Sequence, residues 1–590
     1  MLRLGSQERL DKLDYLFLVL FCALVFGAAF VGGRYLTMHE AVLPQSAKEM
    51  YQNNEWIVPT SAGRPWLERP PLPQWITIAF AHVIGRFDQE WVVRLPSAFV
   101  AMLSVLMTAT LATRWFGRTV GMISGLALVT TLEFCRYAWL AEQDIYLCFL
   151  VTASLFVFGH LEFESRAEND PPATFFGKRR WGIALWFLLL GLTNLAKGLV
   201  FGTVIAAAPV AAFLLWNADL SRIRQYIWFW GGLIWLSVAL AWPVAAYIRY
   251  PDVVDLWSYD LLGRLSGAYT AINQPLWYYW ANLPVVTAPW FPVAVAGLFL
   301  TAKAAFRERY SAERFLWCWA FVPILVLSIP GGKHHHYLLS SVAPWAMLTS
   351  IGLVRLRAWS LTWPGYLKSA LAGVLFVGLP FVVAFSLVAP MLHGPDLLPI
   401  ALAFVIPAVA ALLAYGVHHK QGAVATGSLF SFVGLLFVTG LSFAAIYLDE
   451  CRNDTLFLKS VRARIDTDEV PIVVNADLES MDIFRILFYL GDEAASVHNL
   501  TFLRDPKFNG SSLYVVTRAK DADELRQLGK VQEIERASET RREKSPGDRF
   551  ALFQLTYFED TVRVPSRGKR ISPMQAMDRA PGPYLEIRSN

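Results

Sequence analysis

Charge is scarce in this chain: Asp, Glu, Lys and Arg together make up only 17% of its 590 residues. A soluble protein of this length needs more charge than that to cover its surface, so a set of water-soluble domains is excluded. Cysteine is scarce too. Of the five, Cys22, Cys148 and Cys318 lie within apolar runs, and nothing in the pattern pairs Cys135 with Cys451. No disulfide framework is expected. The chain also lacks a P-loop, a dinucleotide fingerprint and an internal repeat, which argues against an ATP-driven pump. Its net charge of +5 is spread over many short connections, so nucleic-acid binding is not expected either.

Apolar sequence is what the chain has in quantity, with 55% hydrophobic residues, 22 Trp and 40 Phe. Roughly twenty apolar residues cross the hydrocarbon core as a helix. Runs of about that length are expected to span at 14–33, 91–114, 119–135, 141–161, 181–196, 199–216 and 226–248. The series continues at 284–302, 314–329, 336–354, 369–390, 397–416 and 423–446. This predicts a polytopic α-helical membrane protein with about thirteen transmembrane helices. Lys and Arg fall in alternate connections, for example Arg114 and Arg118, Arg179 and Arg180, Arg222 and Arg224, and Arg355 and Arg357. Positive residues favour the cytoplasmic side. The N-terminus, with Arg3, Arg9 and Lys12, is therefore expected in the cytoplasm, and the first run reads as a signal anchor.

Two outside connections are too long to be turns. The first, 34–90, contains a helical stretch from Glu40 to Tyr51, a turn-rich segment from Val58 to Pro73, and an interfacial stretch from Trp75 to Ile84. The second, 249–283, is rich in Trp and Tyr, which suits the headgroup level. After residue 447 the pattern changes. Val470–Val474, Ser512–Val516 and Phe550–Tyr557 read as strands, with helices at Leu478–Leu490 and Asp521–Leu528 between them. The division expected is a membrane domain at 1–447, a small extracytoplasmic α/β domain at 448–560, and a disordered Pro- and Arg-rich tail at 561–590.

Ionisable residues at the edge of a membrane ask for an explanation. On the expected outer face these are His39 and Glu40, Glu68 and Arg69, Glu142 and Asp144, Lys197, and Lys333 followed by His334, His335, His336 and Tyr337. Each has a structural alternative. Glu40 could cap its helix or pair with Lys48, Glu68 could pair with Arg69, and Asp144 could cap a helix start. Lys197 and Lys333 could snorkel to headgroups, and Trp277 to Trp280 could anchor at the interface. Three successive histidines at a helix start point in different directions, so they cannot all hold one ion. A divalent metal using His336 with Glu68 is the weaker alternative to no metal at all.

The segments HEAVLPQSAKEM, WIVPTSAGRPWLERPPLPQW and VVRLPSAF, followed by LTNLAKGLVFG, QPLWYYWANLPVVTAPWFP and GGKHHHYLLSSVAPWA, occur in that order between residues 31 and 350. Together they resemble the bacterial protein-mannosyltransferase-like membrane glycosyltransferases of the GT-C fold, a family that includes the aminoarabinose transferase acting on lipid A. The resemblance implies a sugar donor carried on a polyprenyl phosphate and an acceptor reached from the outer face. Arg69, Lys197, Lys333 and Arg264 are the candidates to stabilise the leaving phosphate. Asp144, Glu40 and His39 are the candidate catalytic residues, with Glu68, Tyr337 and His336 as substrate contacts. One departure stands out: the family's acidic pair, Asp then Glu, is replaced here by His39 then Glu40.

The resulting expectation is a glycosyltransferase of the cytoplasmic (inner) membrane, acting as a monomer among membrane lipids. It would move aminoarabinose, or another pentose or hexose, to a lipid A-like or other envelope glycan acceptor. The alternatives are a protein O-mannosyltransferase-like enzyme, a flippase for lipid-linked sugars, and a non-catalytic binding member.

Overall fold

Among the described residues the apolar runs become helices, and their boundaries follow the turn and cap chemistry. A computed structural model describes residues 9–31, 34–61, 64–163, 178–198, 201–266, 274–360, 415, 419, 422–450, 454–465, 472–475, 482–491, 494–497, 503–504, 511–538 and 546–558. Four helical stretches among them are long and apolar enough to cross a membrane: Glu90–Phe116, Asp144–Phe163, Phe229–Arg249 and His335–Arg355. Helices also occupy the expected spans at Lys12–Val31, Lys178–Lys197, Phe201–Asn217, Ala312–Ser328 and Gly422–Glu450. The expected span 369–390, and all of 397–416 except Tyr415, lie outside the described residues.

Two expected continuous spans are broken. The run read as 119–135 is a helix Arg118–Val129 followed, after a 65° bend, by Leu132–Ala138. The run read as 284–302 is Tyr278–Val286 followed, after a 110° bend, by Phe291–Arg307. The count of membrane-capable spans rises from four to six if each bent pair is one. The breaks have local causes. Thr130 and Thr131 turn their hydroxyls back onto the carbonyls of Leu126 and Ala127 at 2.7 Å, and Pro289 has no N–H to continue a helix. The freed backbone groups find partners across the two breaks, one in backbone and one in a side chain. Leu132 N–H donates to the Ala288 carbonyl at 2.9 Å, and the Trp290 indole donates to the Thr130 carbonyl at 2.9 Å. Irregular backbone at membrane depth survives only where protein supplies such partners.

The chain forms two compact units. The first comprises 1–33, 68–73 and 94–443. In it Phe291–Arg307 and Val342–Ser360 approach so closely that a Cβ added at Gly297 would lie 1.9 Å from the Leu348 carbonyl oxygen. Glycine lets the two backbones meet, the same device that brings membrane helices together elsewhere. Gly297→Ala is therefore expected to lower the thermal midpoint of the detergent-solubilised protein, at a cost of about 1–3 kcal/mol. Outward-facing side chains such as Leu20, Leu24, Phe229 and Phe299 are exposed and apolar, as a hydrocarbon surround requires. Cys22, Cys135, Cys148 and Cys318 are free and buried.

The second unit comprises 34–67, 74–93 and 444–590. Its sheet has strands β3 (Ile472–Asn475), β4 (Ala494–Val497), β5 (Ser512–Arg518), β6 (Gly529–Arg536) and β7 (Phe550–Tyr557), after a short hairpin of β1 (Thr60–Ser61) and β2 (Arg64–Pro65). The spatial order is β4-β3-β5-β7-β6. β3 runs parallel to β4 and β5, whereas β7 is antiparallel to β5 and β6. Val473, Leu513, Val515, Leu525, Phe553 and Leu555 form its core. The three expected strands are present, and β4 and β6 are additions. The helix Asp482–Leu490 covers the described part of the one expected from Leu478. Where a helix was expected at Asp521–Leu528, a short 3-10 turn leads into Ala522–Arg526. The expected first-loop helix is Met38–Gln52, and the stretch expected at the interface, Trp75 to Ile84, is part of the helix Leu72–Ile84. The tail at 561–590 lies outside the described residues.

Candidate active site

Asp144 is the first residue of the helix Asp144–Phe163, where a carboxylate complements the helix N-terminus. Lys197 is the last residue of the helix Lys178–Lys197. That helix closes on Gly198, whose φ of +122° is a conformation side-chain-bearing residues rarely adopt. The turn lets the following helix, Phe201–Asn217, run back beside the first. Asn194 ties the hairpin by donating to the Thr203 hydroxyl at 2.9 Å. The apolar hairpin thus presents Lys197 at its tip, and its ammonium forms an ion pair with the Asp144 carboxylate. Both side chains are nearly withdrawn from solvent, at 5% and 12% exposure. A pair so desolvated costs much to bury, so it is weak evidence for a purely stabilising role.

The histidine-rich segment closes over this pair. His335–Ser341 is a 3-10 helix leading into Val342–Ser360, rather than the start of an α-helix. Lys197 Nζ lies 4.4 Å from the centroid of the Tyr337 ring, a cation–π geometry. Phe201 holds the other side of that ring edge-on at 5.6 Å. His336 Nε2 is 3.9 Å from Asp144 Oδ1, and its ring meets Tyr337 at 4.8 Å. A small cavity is lined by Asp144, Lys197, Phe201, His336, Tyr337 and Ser340. Arg69, in the turn before the helix Leu72–Ile84, is near enough to act electrostatically on both Asp144 and Lys197. Glu142 acts on Lys197 in the same way. Two carboxylates and two cations therefore meet at one end of the helices.

The structure brings together six of the residues singled out in the sequence: Asp144, Glu142, Lys197, Arg69, His336 and Tyr337. The others are placed differently. Lys333 is buried and donates to the Gln274 carbonyl at 2.8 Å. Gln274 N–H in turn donates to the Gly331 carbonyl at 3.1 Å, so Lys333 staples two stretches of loop. Its burial pulls the ammonium pKa below its ordinary value. Glu68 is half-buried beside Arg69, and Arg264 lies in the helix Val253–Ser266. Among the described residues no group of three His, Cys, Asp or Glu side chains is arranged to hold a metal.

His39 and Glu40 belong to the second unit. Glu40 is fully buried and committed to holding the helix start. It forms a capping box with Thr37, accepting from the Thr37 N–H at 3.0 Å, and pairs with Arg34 at 2.6 Å. His39, by contrast, is exposed. One group escaped the sequence reading. Glu133, only 5% exposed, sits 3.1 Å from His335 Nε2 and 3.8 Å from Arg136. A carboxylate inside an expected span was itself the signal.

Residues 68–247 match the family model of dolichyl-phosphate-mannose-protein mannosyltransferases. Over 326 residues the chain is 28% identical to the undecaprenyl phosphate-alpha-4-amino-4-deoxy-L-arabinose arabinosyl transferase of Pectobacterium carotovorum, covering 54% of this chain and 55% of the relative. The protein of the same description from Yersinia enterocolitica is 27% identical over 340 residues, covering 56% and 57%. The chain thus spans about half the length of the curated relatives it matches. The crystal structure of ArnT from Cupriavidus metallidurans bound to undecaprenyl phosphate superposes with a TM-score of 0.70 at 17% identity, over 92% of this chain and 98% of that one. In fold, then, the chain is similar to ArnT, and in sequence about half of it resembles the membrane glycosyltransferases that transfer aminoarabinose from undecaprenyl phosphate.

Proposed function

We infer that the protein is a glycosyltransferase that moves a sugar from a polyprenyl-phosphate donor to an envelope acceptor, most simply a lipid A-like one. The observation that carries this reading is the buried Asp144–Lys197 pair beneath Tyr337, with Arg69 close by, at one end of membrane-capable helices. The resemblance to the aminoarabinose transferases supports that sugar, or another pentose or hexose, as the group transferred.

The chemistry is compact. An acceptor oxygen attacks the anomeric carbon as the bond from that carbon to the phosphate oxygen breaks, and polyprenyl phosphate leaves as an anion. That leaving group needs fixed positive charge, which Arg69 and Lys197 supply in a site largely shielded from water. Asp144 holds the Lys197 ammonium in place and offers its second carboxylate oxygen to a sugar hydroxyl or amine. A phosphate acceptor is already ionised and needs no base. A hydroxyl acceptor would hand its proton to a carboxylate or an imidazole. Tyr337 and His336 wall the sugar site, while Lys333 shapes the loop above it and Arg264 and Glu68 are secondary contacts. His39, exposed at the first turn of its helix, is the first-loop candidate for a base where the acceptor is a hydroxyl. In this reading the site opens to the outer face of the cytoplasmic membrane, the N-terminus is cytoplasmic, and residues 448–560 form a periplasmic domain.

The test uses purified protein in lipid nanodiscs with radiolabelled polyprenyl-phosphate sugars and extracted envelope lipids. Label is expected to pass to the acceptor lipid, and Asp144→Asn is expected to reduce transfer about 100-fold or more. Asp523→Asn, at an exposed position of the α/β domain, should transfer at the normal rate. Wild-type protein that binds the donor but labels no envelope acceptor would refute the reading.

A further inference from the structure

The C-terminal α/β domain has no chemistry in its sequence, yet two of its side chains grip the approach to the first-loop helix. The Tyr489 hydroxyl accepts from the Leu36 N–H at 2.7 Å and donates to Glu90 Oε1 at 3.2 Å. Lys459 Nζ donates to the same Glu90 oxygen at 2.9 Å. The Lys459 ammonium also lies 4.4 Å from the Tyr35 ring centroid and 5.2 Å from that of Tyr489, and the two rings meet edge-on at 6.1 Å. Tyr489 and Leu36 are 3% and 2% exposed, so the bond between them is shielded from water. It joins residues 453 positions apart in the chain.

Tyr35 and Leu36 are the two residues before the Thr37 N-cap of the helix Met38–Gln52. The capping box fixes the helix to its own first turn, and the Tyr489–Lys459 grip fixes that turn to the α/β domain. Phe484 adds an edge contact to Trp66 at 5.8 Å, from the same helix that carries Tyr489. A helix N-terminus left to itself frays. This one is held from outside at the residues leading into it, directly upstream of the exposed His39.

We propose that the C-terminal domain is a clamp that sets the position of the first-loop helix, with Tyr489 as its positioning residue and Lys459 as the second contact. The clamp stands on geometry alone, and its consequence for catalysis rests on the glycosyl-transfer reading in which His39 meets substrate. Small displacements of a group that meets substrate carry large rate costs, so loosening the clamp acts on turnover more than on donor binding.

The test uses the full chain in nanodiscs with Tyr489→Phe, which keeps the ring and removes the hydroxyl, and with Lys459→Met beside Lys459→Arg. Hydrogen exchange of the amides at 34–41 is expected to quicken about tenfold in Tyr489→Phe and Lys459→Met. Strand β7 should stay protected, which shows the domain folded. Transfer kcat is expected to fall about tenfold with donor KM within about twofold, and Lys459→Arg to restore it. Unchanged exchange at 34–41 would overturn the clamp, whatever the activity. Quickened exchange with normal kcat in a transferring enzyme would overturn the positioning role. If the wild type transfers nothing, the glycosyltransferase reading has failed, and exchange alone still decides whether the clamp exists.

Discussion

Lys197→Met is expected to lower sugar transfer by about 100- to 1000-fold, the cost of losing one fixed charge aimed at a developing anion. The substitution does two things at once. It removes the cation proposed to stabilise the leaving phosphate, and it leaves Asp144, at 12% side-chain exposure, without the ammonium that pairs with it. Breaking a buried pair by removing one partner costs about 3–5 kcal/mol, so folded yield should drop as well. The double variant Lys197→Met with Asp144→Asn separates the two effects, because it removes both charges. Folded yield and thermal midpoint should recover while transfer stays lost. Recovery of transfer in the double variant would mean that the pair serves only the fold. Lys197→Arg keeps the charge and can stack on the Tyr337 ring, but its larger head does not fit where a compact ammonium pairs with buried Asp144, so partial activity is expected.

Glu162→Ala is expected to cost about 3–5 kcal/mol of stability, with transfer per folded molecule unchanged. Glu162 lies near the other end of the helix that begins with Asp144, roughly 27 Å away along the helix axis. Its side chain is wholly buried and binds Arg179 and Arg222, each at 3.2 Å, and accepts from the Tyr226 hydroxyl at 2.7 Å. Removing the carboxylate leaves two guanidinium groups and a hydroxyl facing one another, and the helices Asp144–Phe163, Lys178–Lys197 and Leu220–Tyr226 lose their common anchor. Glu162→Gln keeps an acceptor for Tyr226 and should cost less. The check is the thermal midpoint in detergent beside transfer activity normalised to folded protein. Equal midpoints for wild type and Glu162→Ala would contradict this account of the cluster.

Helices were legible because twenty apolar residues in a row leave the backbone little choice, and most described helices begin and end within a few residues of the expected runs. The breaks at Thr130 and at Pro289 were not. A Thr or Pro inside an apolar run is common in membrane helices, and what settles these two is the bond from Leu132 to Ala288, a contact between distant segments. In the α/β domain β7 was visible because it is central and almost wholly apolar, whereas β6, GKVQEIER, is a charged edge strand that hides its pairing. β4 is short and made of small residues, which have weak strand propensity.

The candidate site was legible in part for the same kind of reason. Asp144, Lys197 and Tyr337 stand beside turns that the sequence itself marks, and an ionisable group there asks for a partner. Lys333 looked equivalent, but its ammonium is occupied by a backbone carbonyl, and no pattern of residue types reveals that. Glu40 looked like a substitute for a missing acid. Its capping box with Thr37, a Thr-x-x-Glu spacing visible in the sequence, shows where the carboxylate went. Tyr489 had no signal at all, since its partner Leu36 is 453 residues away.

The central claim is that this chain couples release of polyprenyl phosphate to glycosylation of an envelope lipid through the Asp144–Lys197 site. The direct measurement is a single-turnover reaction in nanodiscs, following by mass spectrometry both the freed polyprenyl phosphate and the glycosylated acceptor. The account predicts that the two appear together in equal amounts with wild-type protein, and that neither appears in the Lys197→Met and Asp144→Asn double variant. Polyprenyl phosphate released without a glycosylated acceptor, or both products formed at the wild-type rate by the double variant, would contradict it.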